Sequence, residues 1–190
     1  MARPVDPEKR KAILQAAKKI ILRDGYAAAK MAQIATEAGV AAGTVYLYFD
    51  SKEAIGDALA SDFFEGAAAI TEKYVPKIVE PKGIEKYIDA VVQFAIKEKA
   101  ILEQVRPDPR MAEDEVSRKK RQELHDQMAR LLGTLMDEGK IQRYNATILG
   151  SIIFGIMHGI IMGAVIFQDQ PLEEYRKTTS DLLRKALRPE

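Results

Sequence analysis

The sequence predicts an all-α protein in two parts: a small three-helix head and a larger helical body. Three observations carry this. No segment alternates apolar and polar residues with period two, and the Val/Ile-rich runs lack flanking hairpin turns. Apolar residues recur at helical spacing along nearly the whole chain. Start and stop signals cut the first fifty residues into short pieces and leave long ones after them.

The elements follow in order. Asp6-Pro7 reads as a cap followed by a first helical residue, and Ile13, Leu14, Ala17, Ile20 and Ile21 form one stripe up to Asp24-Gly25. A short helix from about Lys30 to Ala38 stops at Gly39, and a third spans about Ala42 to Phe49. Asp50 or Ser51 caps a fourth that runs from Lys52 towards Tyr74. Pro76 and Pro81-Lys82-Gly83 break the chain, and residues 84–105 are then apolar on nearly every face. Arg106-Pro107-Asp108-Pro109 is a loop, with a place as a gate to the body's interior. Three further helices are expected: one with Leu124, Met128, Leu131, Leu132 and Leu135 as its stripe, one over about Tyr144–Gln168, and one over about Pro171–Leu187.

Composition narrows the function. The 190 residues are 47% hydrophobic and 30% charged, enough for a core and for solubility. There is no cysteine, which excludes disulfides, thiolate metal sites and cysteine nucleophiles and suits a reducing, cytoplasmic setting. Met1 to Asp6 carries charge without an apolar run behind it, unlike a secretory signal. Residues 1–52 hold nine Lys/Arg against five Asp/Glu, a charge of +4; the remainder holds twenty against twenty-three, a charge of −3. A basic end on an acidic body fits nucleic-acid binding at that end.

The most informative stretch is Met31 to Val45. Two helices crossing steeply over a short turn need a small residue where they touch, which Ala35 supplies, and a residue at ease with positive φ, which Gly39 supplies. Ile34, Val40 and Val45 then point into a shared core. This spacing is that of a helix-turn-helix; an ordinary helical hairpin is the alternative.

Residues 10–59 resemble the N-terminal domain of the TetR family of bacterial and archaeal regulators. The matching pieces are Ile13-Leu14-Gln15-Ala16-Ala17, Asp24-Gly25-Tyr26, Ile34-Ala35-Thr36-Glu37-Ala38-Gly39-Val40 and Gly43-Thr44-Val45-Tyr46-Leu47-Tyr48-Phe49-Asp50-Ser51-Lys52-Glu53. The resemblance implies a DNA-binding head over residues 1–52 and a ligand-binding, dimerising body over 53–190. It implies that the third helix enters the major groove of double-stranded operator DNA. Carried over by position, Ala42, Gly43, Thr44, Tyr46 and Tyr48 come to the DNA, and Lys52 meets a phosphate at the start of the fourth helix. Tyr48 and Lys52 carry most weight; Tyr46 has an alternative as half-buried packing. The family's hydroxyl at the start of the second helix is replaced by Ala29-Lys30, so Lys30 offers charge to a phosphate while the cap is lost. Ala41-Ala42 removes side-chain donors from the recognition helix. Arg3 has two readings, a minor-groove arm or a disordered one.

Residues 146–167 contain no Asp, Glu, Lys or Arg and are long enough to span a membrane, with Gly155, Gly159 and Gly163 at small-residue spacing. The preferred reading is a soluble homodimer interface formed by the helices at 145–168 and 171–187, with no membrane partner. The last helix offers Leu172, Tyr175, Leu182, Leu183, Ala186 and Leu187 to it.

Other constellations lead nowhere. His125 and His158 lack further ligands at metal spacing, so no metal, cofactor or catalytic residue is expected. Gly133 to Gly139-Lys140 is one residue too long for a phosphate loop, and Ile141 replaces the hydroxyl. Ser117 to Arg121 is basic but flanked by acids, as on a solvated helix face. Asn145-Ala146-Thr147 has the form of a glycosylation site without an export signal. Phe94, Met128, Phe154, Met157 and His158 are candidate lining for a small apolar effector, an acyl chain or an aromatic compound, or are plain core. The function read from these residues is a repressor released from its operator by such a molecule. The alternative is a helical small-molecule carrier or enzyme without DNA function.

Overall fold

The computed structural model describes residues 6–105 and 115–189, so the expectations placed on Arg3 and on the loop at 106–109 lie outside the described residues. Every regular element among them is helical: α1 (Pro7–Asp24), α2 (Met31–Glu37), α3 (Ala42–Tyr46), α4 (Lys52–Tyr74), α5 (Gly83–Val105), α6 (Glu115–Asp137), α7 (Ala146–Ile160) and α8 (Leu172–Ala186). A 3₁₀ turn covers Val75–Lys77, and α7 continues as a π-helix over Ile161–Phe167. The third helix is shorter than expected, because Leu47 and Tyr48 form a turn before Ser51 caps α4 through its Oγ, which accepts from the Ala54 N–H at 3.2 Å.

The chain divides into two compact units. One runs to Phe63 and takes in the described part of Glu98–Ser117; the other comprises Phe64–Lys97 and Arg118–Glu190. The division drawn from the motif at residue 52 thus differs from the one the contacts make, and α4 and α5 contribute residues to both units. The first unit has its own core of Ile13, Ala17, Ile21, Ile34, Val45 and Ile55, joined by Ile101 from the end of α5. In the same unit the Lys18 ammonium lies 2.6 Å from the Glu98 carboxylate.

The second unit packs Ile88, Val92, Met128, Leu132, Ile153 and Met157 around its centre, with Leu183 from α8 and Leu187 just after it. Asn145 has a structural use here: its Oδ1 accepts from the Ile148 N–H at 3.1 Å and caps α7. The basic run on α6 is a solvated face, with Arg118 and Lys119 exposed and Lys120 3.0 Å from Glu65. Ala146–Phe167 is the one helix among the described residues long and apolar enough to cross a membrane, with a mean hydropathy of 2.1. One side of it, Leu149, Gly150, Ile153, Met157 and Ile160, is buried in the unit's core.

Candidate nucleic-acid interface

The head is built around a tight pair of helices. Asp6 caps α1 by accepting the Glu8 N–H at 3.0 Å, and the Asp6 N–H itself donates to the Tyr48 hydroxyl at 3.2 Å. Ala35, 3% exposed, leaves room for the neighbouring backbone. Gly39 takes φ +68°, and around it the Val40 N–H donates to the Ala35 carbonyl at 3.0 Å, closing the turn. Val45 and Phe49 hold the inner side of the next helix in the core.

That packing fixes which side of α3 faces outward. Ala41, Ala42, Gly43, Tyr46 and Leu47 are exposed, and Thr44 is half-buried. A Cβ built on Gly43 would meet no atom within 4 Å, so the protein's own packing does not require glycine there. Tyr46 is 52% exposed, which removes its alternative reading as half-buried packing. Tyr48 is the half-buried one, and its hydroxyl is engaged with α1. Leu47, missed in the sequence, is 76% exposed. Its position four residues after Gly43 was the available signal.

Two lysines flank this surface. Lys30 is exposed at the start of α2, and its N–H donates to Gln33 Oε1 at 3.0 Å. The cap expected to be lost is therefore half retained, through the glutamine of a capping-box arrangement rather than a hydroxyl. Lys52 is less free than its motif suggests: its ammonium donates to the Tyr26 and Ala27 carbonyls at 2.9 and 3.0 Å and lies 4.8 Å from the Tyr26 ring centre. An ammonium has three N–H donors, so one remains after the two carbonyls. The Tyr26 hydroxyl, near Glu53 and Asp57 and partly buried, is pushed above the usual phenol range, first by desolvation.

In the second unit the five proposed lining residues separate. Met128 and Met157 are core, Phe94 and Phe154 are half-buried, and His158 is exposed. His158, read from the sequence as effector lining or plain core, sits instead on the outward side of α7 with Ile148, Ser151, Ile152, Gly155 and Gly159. His125 stacks on Phe154 with ring centres 4.5 Å apart, and burial pushes its pKa down. The void among Val75, Ile78, Tyr87, Met128, Leu132 and Ile153 is about 10 Å³, at the threshold for one water. The interior around Met128 is thus filled. On α8, Leu183 and Leu187 are buried while Leu182 is 54% exposed, so the six apolar residues expected on one face divide between two.

Comparison with known proteins agrees with this architecture. Residues 13–59 match the model of the tetR family of bacterial regulatory proteins. A fatty acid metabolism regulator protein of Bacillus subtilis is 36% identical over 80 residues, a stretch that is 42% of this chain and only 40% of that protein. Among solved structures, one described as a TetR-family transcriptional regulator from Mesorhizobium loti superimposes with a TM-score of 0.74 at 20% identity, over 94% of this chain and 95% of that one. The fatty acid degradation regulator FadR of Bacillus halodurans gives 0.62 at 24% identity, over 94% and 99%. Fold and motif together define a helix-turn-helix protein with a helical body. Residues 13–59 carry the tetR-family helix-turn-helix, and the chain as a whole shares the fold of the solved TetR-family regulator.

Proposed function

We propose that this protein is a cytoplasmic, homodimeric, DNA-binding transcriptional regulator, a repressor whose operator affinity is lowered by a largely hydrophobic small molecule. The observation that carries the DNA-binding reading is the exposed face of α3, bare of its own packing partners and held outward by Val45 and Phe49. Ala42, Gly43, Thr44 and Tyr46 approach the bases, and Lys30 and Lys52 the phosphates. Tyr48 acts by fixing the start of α1. With one Lys30 and one Lys52 from each of two protomers, about four phosphates are neutralised, each adding about −0.9 to the log–log salt slope. Retention of the gene's own upstream DNA against random competitor, repeated over a range of salt, tests this. Selective and steeply salt-dependent retention is expected; indifference to sequence and salt would end the reading.

The dimer reading rests on α7 and α8. Ile148, Ile152 and Leu182 are each more than half exposed, beside Gly155 and Gly159, at which a Cβ would meet no atom within 4 Å. Such a stripe covered by a second copy accounts for the apolar character of residues 146–167 without a membrane. The effector reading rests on the core of the second unit, apolar among the described residues, and on the likeness to the fatty acid metabolism regulator. An acyl or aromatic ligand entering beside Met128 would open the core as it binds, since the void there is about 10 Å³. A ligand that favours the DNA-free shape weakens operator binding by the factor by which DNA weakens ligand binding, typically about 5–150-fold. Thermal-shift screening of apolar compounds, followed by operator titration with each hit, tests it. Hits that leave DNA affinity unchanged would argue against induction.

A further inference from the structure

We infer that the head reads its operator chiefly through thymine methyl groups, with Leu47 as the reading side chain; this rests on the DNA-binding reading above. Leu47 is the most exposed of the large apolar side chains among the described residues, and its backbone is still helical at φ −71°, ψ −20°. Ala42 and Tyr46 are four residues apart, as are Gly43 and Leu47. These two pairs therefore form adjacent rows on the outward face, opposite buried Val45 and Phe49. From Ala41 to Phe49 there is no Arg, Lys, Asn, Gln, Asp or Glu, the side chains that pair with guanine, adenine or cytosine edges. The hydrogen-bonding groups left are few: Thr44 is half-buried, the Tyr48 hydroxyl accepts from the Asp6 N–H, and Tyr46 is 52% exposed.

An apolar helix face in the major groove finds one apolar feature on the base edges, the C5-methyl of thymine. Gly43 lies one turn before Leu47 and keeps that row shallow, so the leucine projects beyond its neighbours. Seated on a thymine, Leu47 leaves water together with the methyl. At about 0.8 kcal/mol per buried CH₂, each methyl contributes about fourfold in affinity. Lost from both half-sites of a two-fold operator, the effect is on the order of fifteenfold, since the two factors multiply.

The experiment selects binding sites from a random duplex pool with the full chain. The selected duplex is then remade with deoxyuridine for thymine, which removes the methyls and keeps the base pairing. Selected half-sites rich in A·T pairs are expected, with a deoxyuridine duplex bound on the order of fifteenfold more weakly. Leu47→Ala should bind the thymine duplex with a similar loss and no longer distinguish the two duplexes. Equal affinity of the wild-type protein for both duplexes would overturn the inference, and that arm needs no variant. A deoxyuridine penalty that persists unchanged in Leu47→Ala would also overturn it. In either case, salt-dependent duplex binding by the wild type leaves the DNA-binding reading standing, whereas failure to bind any duplex removes both.

Discussion

In the head, the outward face is that of the five-residue α3 with Ala41 before it and Leu47 after it: two alanines, one glycine, a tyrosine and a projecting leucine. In the body, the outward faces of α7 and α8 carry two glycines and three large aliphatic side chains. Both faces expose large apolar side chains, and both hold glycines that the protomer does not need for its own packing: Gly43 in the head, Gly155 and Gly159 in the body. Other glycines are required from within. A Cβ on Gly83 would run into the Lys77 carbonyl oxygen, and one on Gly163 into the Tyr175 hydroxyl, which donates to Asp169 at 2.9 Å. Glycine therefore has more than one meaning here: at Gly83 and Gly163 it makes room within the fold, at Gly39 it supplies a positive φ, and at Gly43, Gly155 and Gly159 neither reason applies.

The largest effect should come from breaking the body's face. A Cβ at Gly159 would meet no atom of the protomer within 4 Å, so Gly159→Leu should not lower the thermal stability of the protomer. Overpacking against a second copy costs about 1–3 kcal/mol, or roughly 5–150-fold in dimer dissociation. Sedimentation velocity would show it, and a dimer of undiminished strength would move the interface elsewhere.

Gly83→Ala is the converse. The clash is with backbone, so unfolding stability should fall by about 1–3 kcal/mol while the surviving protein still dimerises. Denaturant titration measures the first and sedimentation the second. Unchanged stability would show that the turn before α5 yields easily.

Lys52→Ala sharpens the head. It removes two charged hydrogen bonds that tie the Tyr26–Ala27 backbone, so head stability should drop by about 1–3 kcal/mol. Affinity for all DNA sequences should fall alike, with the salt slope shallower by about 0.9 per protomer. A changed sequence preference with an unchanged slope would remove Lys52 from the phosphate contacts.

The smallest effect is a pH dependence in the body. Burial against Phe154 and the nearby Arg121 charge hold the His125 pKa below its usual 6.5. The folded state thus binds fewer protons than the unfolded one just below that value. The stability it contributes is present above pH 6.5 and is lost as pH falls through the folded pKa. Urea midpoints measured from pH 7.5 to 5 should decline, and His125→Leu should flatten the decline; an identical slope in the variant would assign it to other groups.

Much of the head was legible because its spacing is tied to geometry. Gly39 at positive φ, Ala35 at the crossing and Ser51 at the start of α4 each do what their residue type does best. What sequence alone could not separate were residues of the same kind with different neighbours. Tyr46 and Tyr48 lie two positions apart, yet one is exposed and the other is fixed to Asp6. Lys52 reads as a phosphate ligand from its motif, and only the folded loop brings two carbonyls to its ammonium. In the body the difficulty is greater. A helix apolar all round gives no sign of which side is covered, so His158 could be read as buried although it lies outward. The filled space around Met128 depends on residues from 75 to 187, which no local pattern encodes.

The central claim, that two copies of this chain joined through the body present two heads to one duplex, is tested most directly by the mass of the complex. Sedimentation equilibrium of the protein with a selected duplex should give two protomers per DNA. Gly159→Leu at the same concentration should leave most of the DNA free. A complex of one protomer per duplex with undiminished affinity, or no complex with any duplex, would contradict the account.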